Sequence, residues 1–268
     1  MHDLDAVDLS GVDGVVHLAA LKYAGLSVDE PLRFYRNNVD GMVALLQVMA
    51  EAGVDRLVYS SSCSVYGTPA DQTVTESTPI GPESPYGETK LIGEWLARAA
   101  SVAHGLRHTS LRYFNVVGSG YDEVYDASPH NLFPLVFRAI DSGRPPKLFG
   151  TDYPTPDGSC IRDYIHVDDL AAAHVLAAAR LDAGQALAPA YNIATGRGAS
   201  VLEVIAAVSR TLGVDLEPER APRRPGDPTA IVADGSLAER DLGWTASRSL
   251  DDMVRDAWRS WDTSRQRG

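Results

Sequence analysis

Three short apolar runs, each ending in small or polar residues and separated from the next by a helical stretch, constrain the fold of this chain most. They are Gly14-Val15-Val16-His17-Leu18-Ala19-Ala20, Arg56-Leu57-Val58-Tyr59-Ser60-Ser61-Ser62 and His108-Thr109-Ser110-Leu111-Arg112-Tyr113-Phe114. Such runs suit strands buried on both faces, as in a parallel sheet. Between the first two, a helix is expected from about Pro31, with Met42, Leu45, Leu46 and Met49 buried and Gly53 near its end. Between the second and third, another helix opens at Ser84-Pro85-Tyr86. Strand, helix, strand, helix, strand predicts a doubly wound α/β sheet. Ligands of such sheets lie beyond the carboxyl ends of the strands. Here those ends are Ala19-Ala20, Ser60-Ser61-Ser62 and Phe114-Asn115, small or polar throughout.

The second helix carries the chemistry. Ser84 suits its cap and Pro85 its first position. A spacing of four puts Tyr86 and Lys90 on one face, one turn apart. Leu91, Trp95, Leu96 and Ala99 are expected to form the stripe that docks this helix on the sheet. A lysine ammonium near a phenol favours the phenolate. Lowering a tyrosine pKa by ~3 units takes ~4 kcal/mol of differential interaction. One ammonium and one cofactor cation in a sheltered pocket supply that order of energy. The product is a base poised to take a proton from a hydroxyl. Taken alone, Tyr86 and Lys90 read more plainly as surface residues of an ordinary helix, and the rest of the chain must decide.

With 24 Lys+Arg against 36 Asp+Glu, the net charge of −12 argues against nucleic acid or an anionic membrane as partner. A few local arginines still suffice for a phosphorylated ligand. No apolar run is long enough to span a bilayer, and the acidic opening Met1-His2-Asp3-Leu4-Asp5 does not read as a targeting segment. Cys63 and Cys160 have no redox or metal spacing and read as reduced thiols of a cytoplasmic protein. The 7 histidines are scattered, so no metal site is expected. Asp168 and Asp169 read as caps of the Ala-rich helix that follows them.

After Asn115 the pattern loosens. A helix near 131–142, a short strand at Lys147-Leu148-Phe149, a strand over 161–167 and the helix 170–180 are expected. Tyr191-Asn192-Ile193 reads as a strand, and Val201, Ile205, Val208 and Leu212 mark an amphipathic helix. No Gly-rich turn of the G-x-G-x-x-G kind follows an initial strand, and the first strand reads as a middle strand of its sheet. Roughly two βαβ-sized units, each ~30 residues, are expected to be absent, with Met1 a misassigned start or the chain a fragment.

Taken in order, these stretches resemble the sugar-nucleotide epimerases of the extended short-chain dehydrogenase/reductase family. The matching motifs are His17-Leu18-Ala19-Ala20-Leu21-Lys22, Asn37-Asn38-Val39, Ser60 to Gly67, Ser84-Pro85-Tyr86 with Lys90, and Arg112-Tyr113-Phe114-Asn115. The most specific are Asp152-Tyr153-Pro154-Thr155-Pro156-Asp157-Gly158, Arg162-Asp163-Tyr164-Ile165-His166-Val167, and Pro222-Arg223-Arg224-Pro225-Gly226-Asp227. The resemblance implies a doubly wound parallel (Rossmann) sheet, N-terminally truncated, with a smaller mixed α/β C-terminal substrate domain. Residues 1–117 would be the remaining NAD-binding unit and 118–268 mainly the UDP-sugar unit, with about 163–195 returning to the Rossmann sheet.

The implied reaction is NAD-dependent interconversion of UDP-glucose and UDP-galactose by inversion at C4 through a 4-keto intermediate. Tyr86 would be the base, Lys90 would lower its pKa and hold the nicotinamide ribose, and Ser62 would hydrogen-bond the reacting hydroxyl. Leu18, Ala19, Ala20, Lys22, Asn37 and Phe114 match further cofactor contacts. Asn115, Asn131, Leu132, Lys147, Leu148, Phe149, Arg162, Arg224 and Asp227 match UDP-sugar contacts, with Phe149 stacking on uracil and the arginines on diphosphate. Ile231 stands where the family often has a tyrosine, which opens the sugar pocket to N-acetylated sugars. A homodimer through the Tyr86 helix and the helix ending near Gly53 is implied as well. Three rivals remain. A dehydratase needs an acid after Ser62, where Cys63 and Ser64 stand. A UDP-glucuronate epimerase needs another basic group near the sugar. An inactive remnant binds no NAD for want of the Gly-rich turn.

Overall fold

The computed structural model describes residues 8–71, 73–224 and 227–267. Met1 and the Pro225-Gly226 pair of the expected substrate loop lie outside the described residues. The first strand, β1 (Val15–His17), leads through α1 (Ala24–Asp29), α2 (Pro31–Phe34), a π-helical turn (Tyr35–Asp40) and α3 (Gly41–Ala52) to β2 (Arg56–Ser60). A 3-10 turn (Cys63–Tyr66) and β3 (Thr73–Val74) precede α4 (Pro85–His104), and β4 (Arg107–Tyr113) follows. Then come β5 (Asn115–Val117), α5 (Leu132–Asp141), β6 (Lys147–Phe149), β7 (Ile161–His166), α6 (Val167–Asp182), β8 (Ala190–Ile193) and β9 (Gly198–Ser200). The chain ends with α7 (Val201–Leu212), β10 (Glu219–Ala221), β11 (Ala230–Ala233), α8 (Ser236–Leu242) and α9 (Leu250–Arg267).

The first sheet runs β1-β2-β4-β8, all parallel, as the alternation of runs and helices predicts. Its two faces follow from the period of two along β2. Leu57 and Tyr59 pack with Met42, Leu45 and Met49 of α3 and Ala97 of α4. Val58 points the other way, joining Leu111 with Leu170, Ala173, Ala177 and Leu181 of α6. Ser60 faces the same side: His174 of α6 donates from Nδ1 to the Leu170 carbonyl (2.9 Å), which leaves Nε2 to accept from the Ser60 hydroxyl (2.7 Å). Helices therefore cover both faces, the doubly wound arrangement.

The second sheet runs β3-β11-β7-β5, with β9 antiparallel on β7, and β6 pairs with β10 apart from both. The chain changes sheets at Phe114: β4 ends in the first sheet and β5 pairs with β7 in the second. Of the stretch expected back in the first sheet, α6 covers it and β8 pairs in it, whereas β7 belongs to the second. Phe133, Phe137, Tyr164, Val204, Val208, Met253 and Trp261 form the core beneath α5, α7 and α9.

Two local readings are corrected. The docking face of α4 is Tyr86, Lys90, Leu91, Glu94 and Ala97, while Trp95 is 49% exposed and Ala99 is exposed too. His166, not Asp168 or Asp169, caps α6, its Nδ1 accepting from the Asp168 amide (3.0 Å). Asp169 instead binds the Ser247 and Arg248 amides at 3.1 and 3.0 Å.

Candidate active site

The strand ends and the start of α4 meet as the sequence predicts. Ser84 accepts from the Gly87 amide (3.2 Å) and Pro85 opens the helix. Gly87 lets that first turn lie against the 3-10 turn, since a Cβ there would sit 2.6 Å from the Ser64 carbonyl oxygen. Ser62 caps the 3-10 turn, its Oγ accepting from the Ser64 amide (3.2 Å). Ser62, Tyr86 and Lys90 are all buried.

The electrostatics differ from expectation. Burial pushes the Tyr86 phenol above its ordinary pKa, and the Ser62 hydroxyl beside it pulls the other way. Lys90 does not lower it in the chain by itself. Its Nζ donates to the Ser60 carbonyl (2.8 Å), 5.3 Å from the Tyr59 ring centre and 5.9 Å from that of Tyr86. Burial brings the Lys90 pKa down to about 8. His17, stacked on Tyr59 at 5.8 Å, is brought down to about 4, first by burial and then by the Lys90 charge, so it stays neutral.

On the expected cofactor side, Leu18, Ala19 and Lys22 are exposed and Ala20 and Asn37 half-buried. Asn37 donates to Asn38 (3.0 Å), and Asn38 donates to the Leu21 carbonyl (3.0 Å) and to Thr89 (2.9 Å). This ties the loop after β1 to the helix of Tyr86 through the π-helical turn. Lys90 offers three donors and uses one, so it fits the hydroxyls of a nucleotide ribose. Phe114 is buried with Val65, Tyr66, Leu91 and Ile231.

The expected substrate residues form pairs among themselves. Arg162 donates to the Asp227 carboxylate and to the Ile161 carbonyl (2.7 Å). Arg224 lies 3.9 Å over the Phe149 ring, so an arginine covers the face expected for uracil. Asn131 donates to Asp126 (2.6 Å) just before Leu132 opens α5, and Asn115 donates to the Asp163 carbonyl (3.2 Å). Lys147 is exposed; Leu148 is 2% exposed and offers only its backbone. Ile231 sits in register with Arg162 across β11 and β7. Arg223 pairs with Asp152 (2.7 Å) and stacks on Tyr153 (4.1 Å). His130 packs edge-on against Tyr23, 5.2 Å between ring centres, so the loop after Lys22 touches the start of α5. Burial raises the Cys63 thiol to about 11 despite nearby Arg162, which makes it a poor nucleophile. Sequence reasoning missed Ser61, Tyr66, Glu94, Arg112 and Asn192, a buried polar set directly behind Ser62. Ser61, Tyr66 and Arg112 lie within the matched motifs and Glu94 continues the Tyr86-Lys90 spacing by another turn, but no sequence signal joins them.

Residues 3–194 match the NAD dependent epimerase/dehydratase family. The chain belongs to that family. Among its family relatives, UDP-glucose 4-epimerase 2 of Arabidopsis thaliana is 44% identical over 263 residues, covering 96% of this chain and 75% of the relative. UDP-glucose 4-epimerase of Bacillus subtilis (strain 168) is 41% identical over 276 residues, covering 99% and 81%. A UDP-glucose-4-epimerase from Stenotrophomonas maltophila, solved with NAD and formylated UDP-arabinopyranose, superposes with a TM-score of 0.88 at 42% identity, covering 96% of this chain and 78% of that one. The Bifidobacterium longum enzyme with NAD+ and UDP gives 0.83 at 38% identity, with 96% and 78% covered. Among the described residues, no helix of this epimerase-family chain is long and apolar enough to cross a membrane. Nor do the described residues hold a cluster of three or more metal-ligating side chains.

Proposed function

We propose that this chain interconverts UDP-glucose and UDP-galactose by inversion at C4. The observation that carries the reading is the buried Ser62, Tyr86 and Lys90 group at the carboxyl end of β2, beside a strand bearing Arg162. Family membership and the relatives' activities support it. Bound NAD supplies a reversible hydride acceptor and a positive ring within that sheltered space. Lys90 holds the nicotinamide ribose with its unused donors, and Leu18, Ala19, Ala20, Lys22, Asn37 and Phe114 line the cofactor. Tyr86 takes the proton of the 4-hydroxyl at its phenol oxygen, and Ser62 holds that hydroxyl. With that proton on Tyr86 and the C4 hydride on the bound nicotinamide, C4 would be a ketone; once it presents its other face, C4 would take the hydride back and its oxygen would take the proton back from Tyr86. Arg162 and Arg224 leave their internal partners for the diphosphate, a charge better matched by guanidinium forks than the contacts they give up. Asp227, released from Arg162, accepts from the ribose; Phe149, uncovered by Arg224, stacks on uracil between Lys147 and Leu148. Asn115, Asn131 and Leu132 complete the grip; residues 1–117 mainly hold the cofactor and 118–268 mainly the UDP-sugar, with Ser62, Tyr86 and Asn115 of the first reaching the substrate.

Ile231 leaves room for an N-acetyl group where a tyrosine would close the pocket. The test is turnover by purified, NAD-loaded chain. UDP-galactose is expected to give UDP-glucose, and UDP-N-acetylgalactosamine is expected to turn over until Ile231→Tyr blocks it. A folded, NAD-loaded chain that leaves UDP-galactose unchanged overturns the reading. We also read the protein as a cytoplasmic homodimer. Its two free cysteines support the first part, which fractionation of expressing cells tests.

A further inference from the structure

Ser62 and Tyr86 stand on different elements, and one carboxylate connects the two. Glu94 lies one turn beyond Lys90 and two beyond Tyr86 on the buried face of α4. It accepts from the Ser61 hydroxyl at 2.6 Å, and Ser61 immediately precedes Ser62. It also accepts both arms of Arg112, Nε at 2.9 Å and Nη2 at 2.6 Å. The third arm of Arg112 donates to Tyr66 (3.0 Å), which donates to Asn192 (2.7 Å). Ser61 and Tyr66 bracket Ser62 and the turn it caps. Two consecutive serines are thus registered against two successive turns of one helix, the Ser60 carbonyl with Lys90 and the Ser61 hydroxyl with Glu94, and Ser62 follows them, capping the turn that lies against the first turn of that helix, where Tyr86 stands.

Stability alone is a poor reason for this arrangement. The Arg112 and Glu94 side chains are only 6% and 10% exposed. Burial costs each ion several kcal/mol of hydration, and a well-packed apolar pair commonly does as well or better. What a bidentate fork adds is a fixed plane and distance. We propose that Glu94 is a positioning residue: clamped by Arg112, it holds Ser61, and through it Ser62, at a set distance from Tyr86. The proposal rests on the reading of Tyr86 and Ser62 as the reacting pair.

Ser61→Ala cuts the link and leaves the ion pair intact, so the fold is kept. Thr109→Val is its control, losing a part-buried hydrogen bond of the same sheet, to the Ala188 carbonyl (2.8 Å), outside the network. The first readout is the Tyr86 ring carbon resonance in chain labelled at the tyrosine Cζ, assigned with Tyr86→Phe and recorded without cofactor. Ser61→Ala is expected to move it in the direction that Ser62→Ala does, while Thr109→Val leaves it in place. The second readout is UDP-galactose turnover. In Ser61→Ala kcat is expected to fall about 10- to 100-fold, the loss a misplacement of about 1 Å brings. KM is expected to stay within about two-fold, because ground-state binding is untouched. A Tyr86 resonance unmoved by Ser61→Ala overturns the clamp, whatever the turnover. A resonance that moves in a chain with no turnover sinks the proposed reaction and leaves the clamp standing.

Discussion

Lys90 and His17 show burial setting charge where spacing alone suggests pairing. The sequence pairs Tyr86 with Lys90 correctly as neighbours, but not as an ion pair: the ammonium turns to the Ser60 carbonyl. Spacing gives proximity, whereas the direction of a lysine head depends on acceptors from other elements. His17, 6% exposed, pairs a value of about 4 in the fold with an ordinary one near 6.5. The unfolded chain therefore binds more protons between these values, and stability rises with pH across that window. His17's contribution is complete above pH 6.5 and is lost as pH falls toward 4, by on the order of 3 kcal/mol. His17→Phe keeps the stack on Tyr59 and is expected to flatten the melting temperature between those pH values. An unchanged pH slope in urea titrations of the variant would rule this out. Lys90 has the same sign at higher pH: its folded value near 8 lies below the ordinary 10.5, so stability rises between the two.

Helix α4 was legible at its start and misread along its length. Ser84, Pro85, Tyr86 and Lys90 carry local signals, and the cap forms as they predict. Of the expected stripe, Leu91 is buried and Leu96 packs on the core, but Trp95 and Ala99 face outward, because the face toward the sheet also holds Lys90 and Glu94, polar residues kept for their partners. Hydropathy cannot mark a docking face built from charges whose partners come from elsewhere in the chain, Ser61 from just after β2 and Arg112 from β4. Gly93 reports the true contact: a Cβ there would lie 2.3 Å from the Tyr59 hydroxyl oxygen. Gly93→Ala must push Tyr59 or lift the helix, and Tyr59 lies under Lys90. We expect about 1–3 kcal/mol of lost stability from this overpacking, with kcat reduced as well. Chemical denaturation and turnover check both. A variant as stable as the parent would place α4 differently from the structure.

For the whole molecule, the first sheet was readable because its strands are apolar runs between clear helices. The second was readable only at β7: its strands β3, β9 and β11 have two to four residues each, too short for a periodic signal, and they pair across long stretches of chain. Site residues taken from motifs fell into two groups, one around Tyr86 and one around Arg162, and internal pairs such as Arg162 with Asp227 had no sequence signal. The outer faces of α3 and α4 carry the proposed dimer contact. Val43 is 37% exposed, Trp95 49% and Val102 86%, the last two at helical spacing. Light scattering of the wild-type chain is expected to give twice the chain mass, and Trp95→Asp with Val102→Asp the mass of one chain. A wild-type monomer at micromolar concentration would contradict the dimer.

The most direct test of the central claim is the rate of UDP-galactose conversion by Tyr86→Phe beside the parent chain, both loaded with NAD and both shown to bind UDP. A phenyl ring fills the same buried space without the oxygen that moves the proton. Conversion is expected to fall by about 10²- to 10⁴-fold, the usual contribution of a positioned acid–base group, with UDP affinity unchanged. Conversion at the parent rate would show that the proton leaves C4 by some other group.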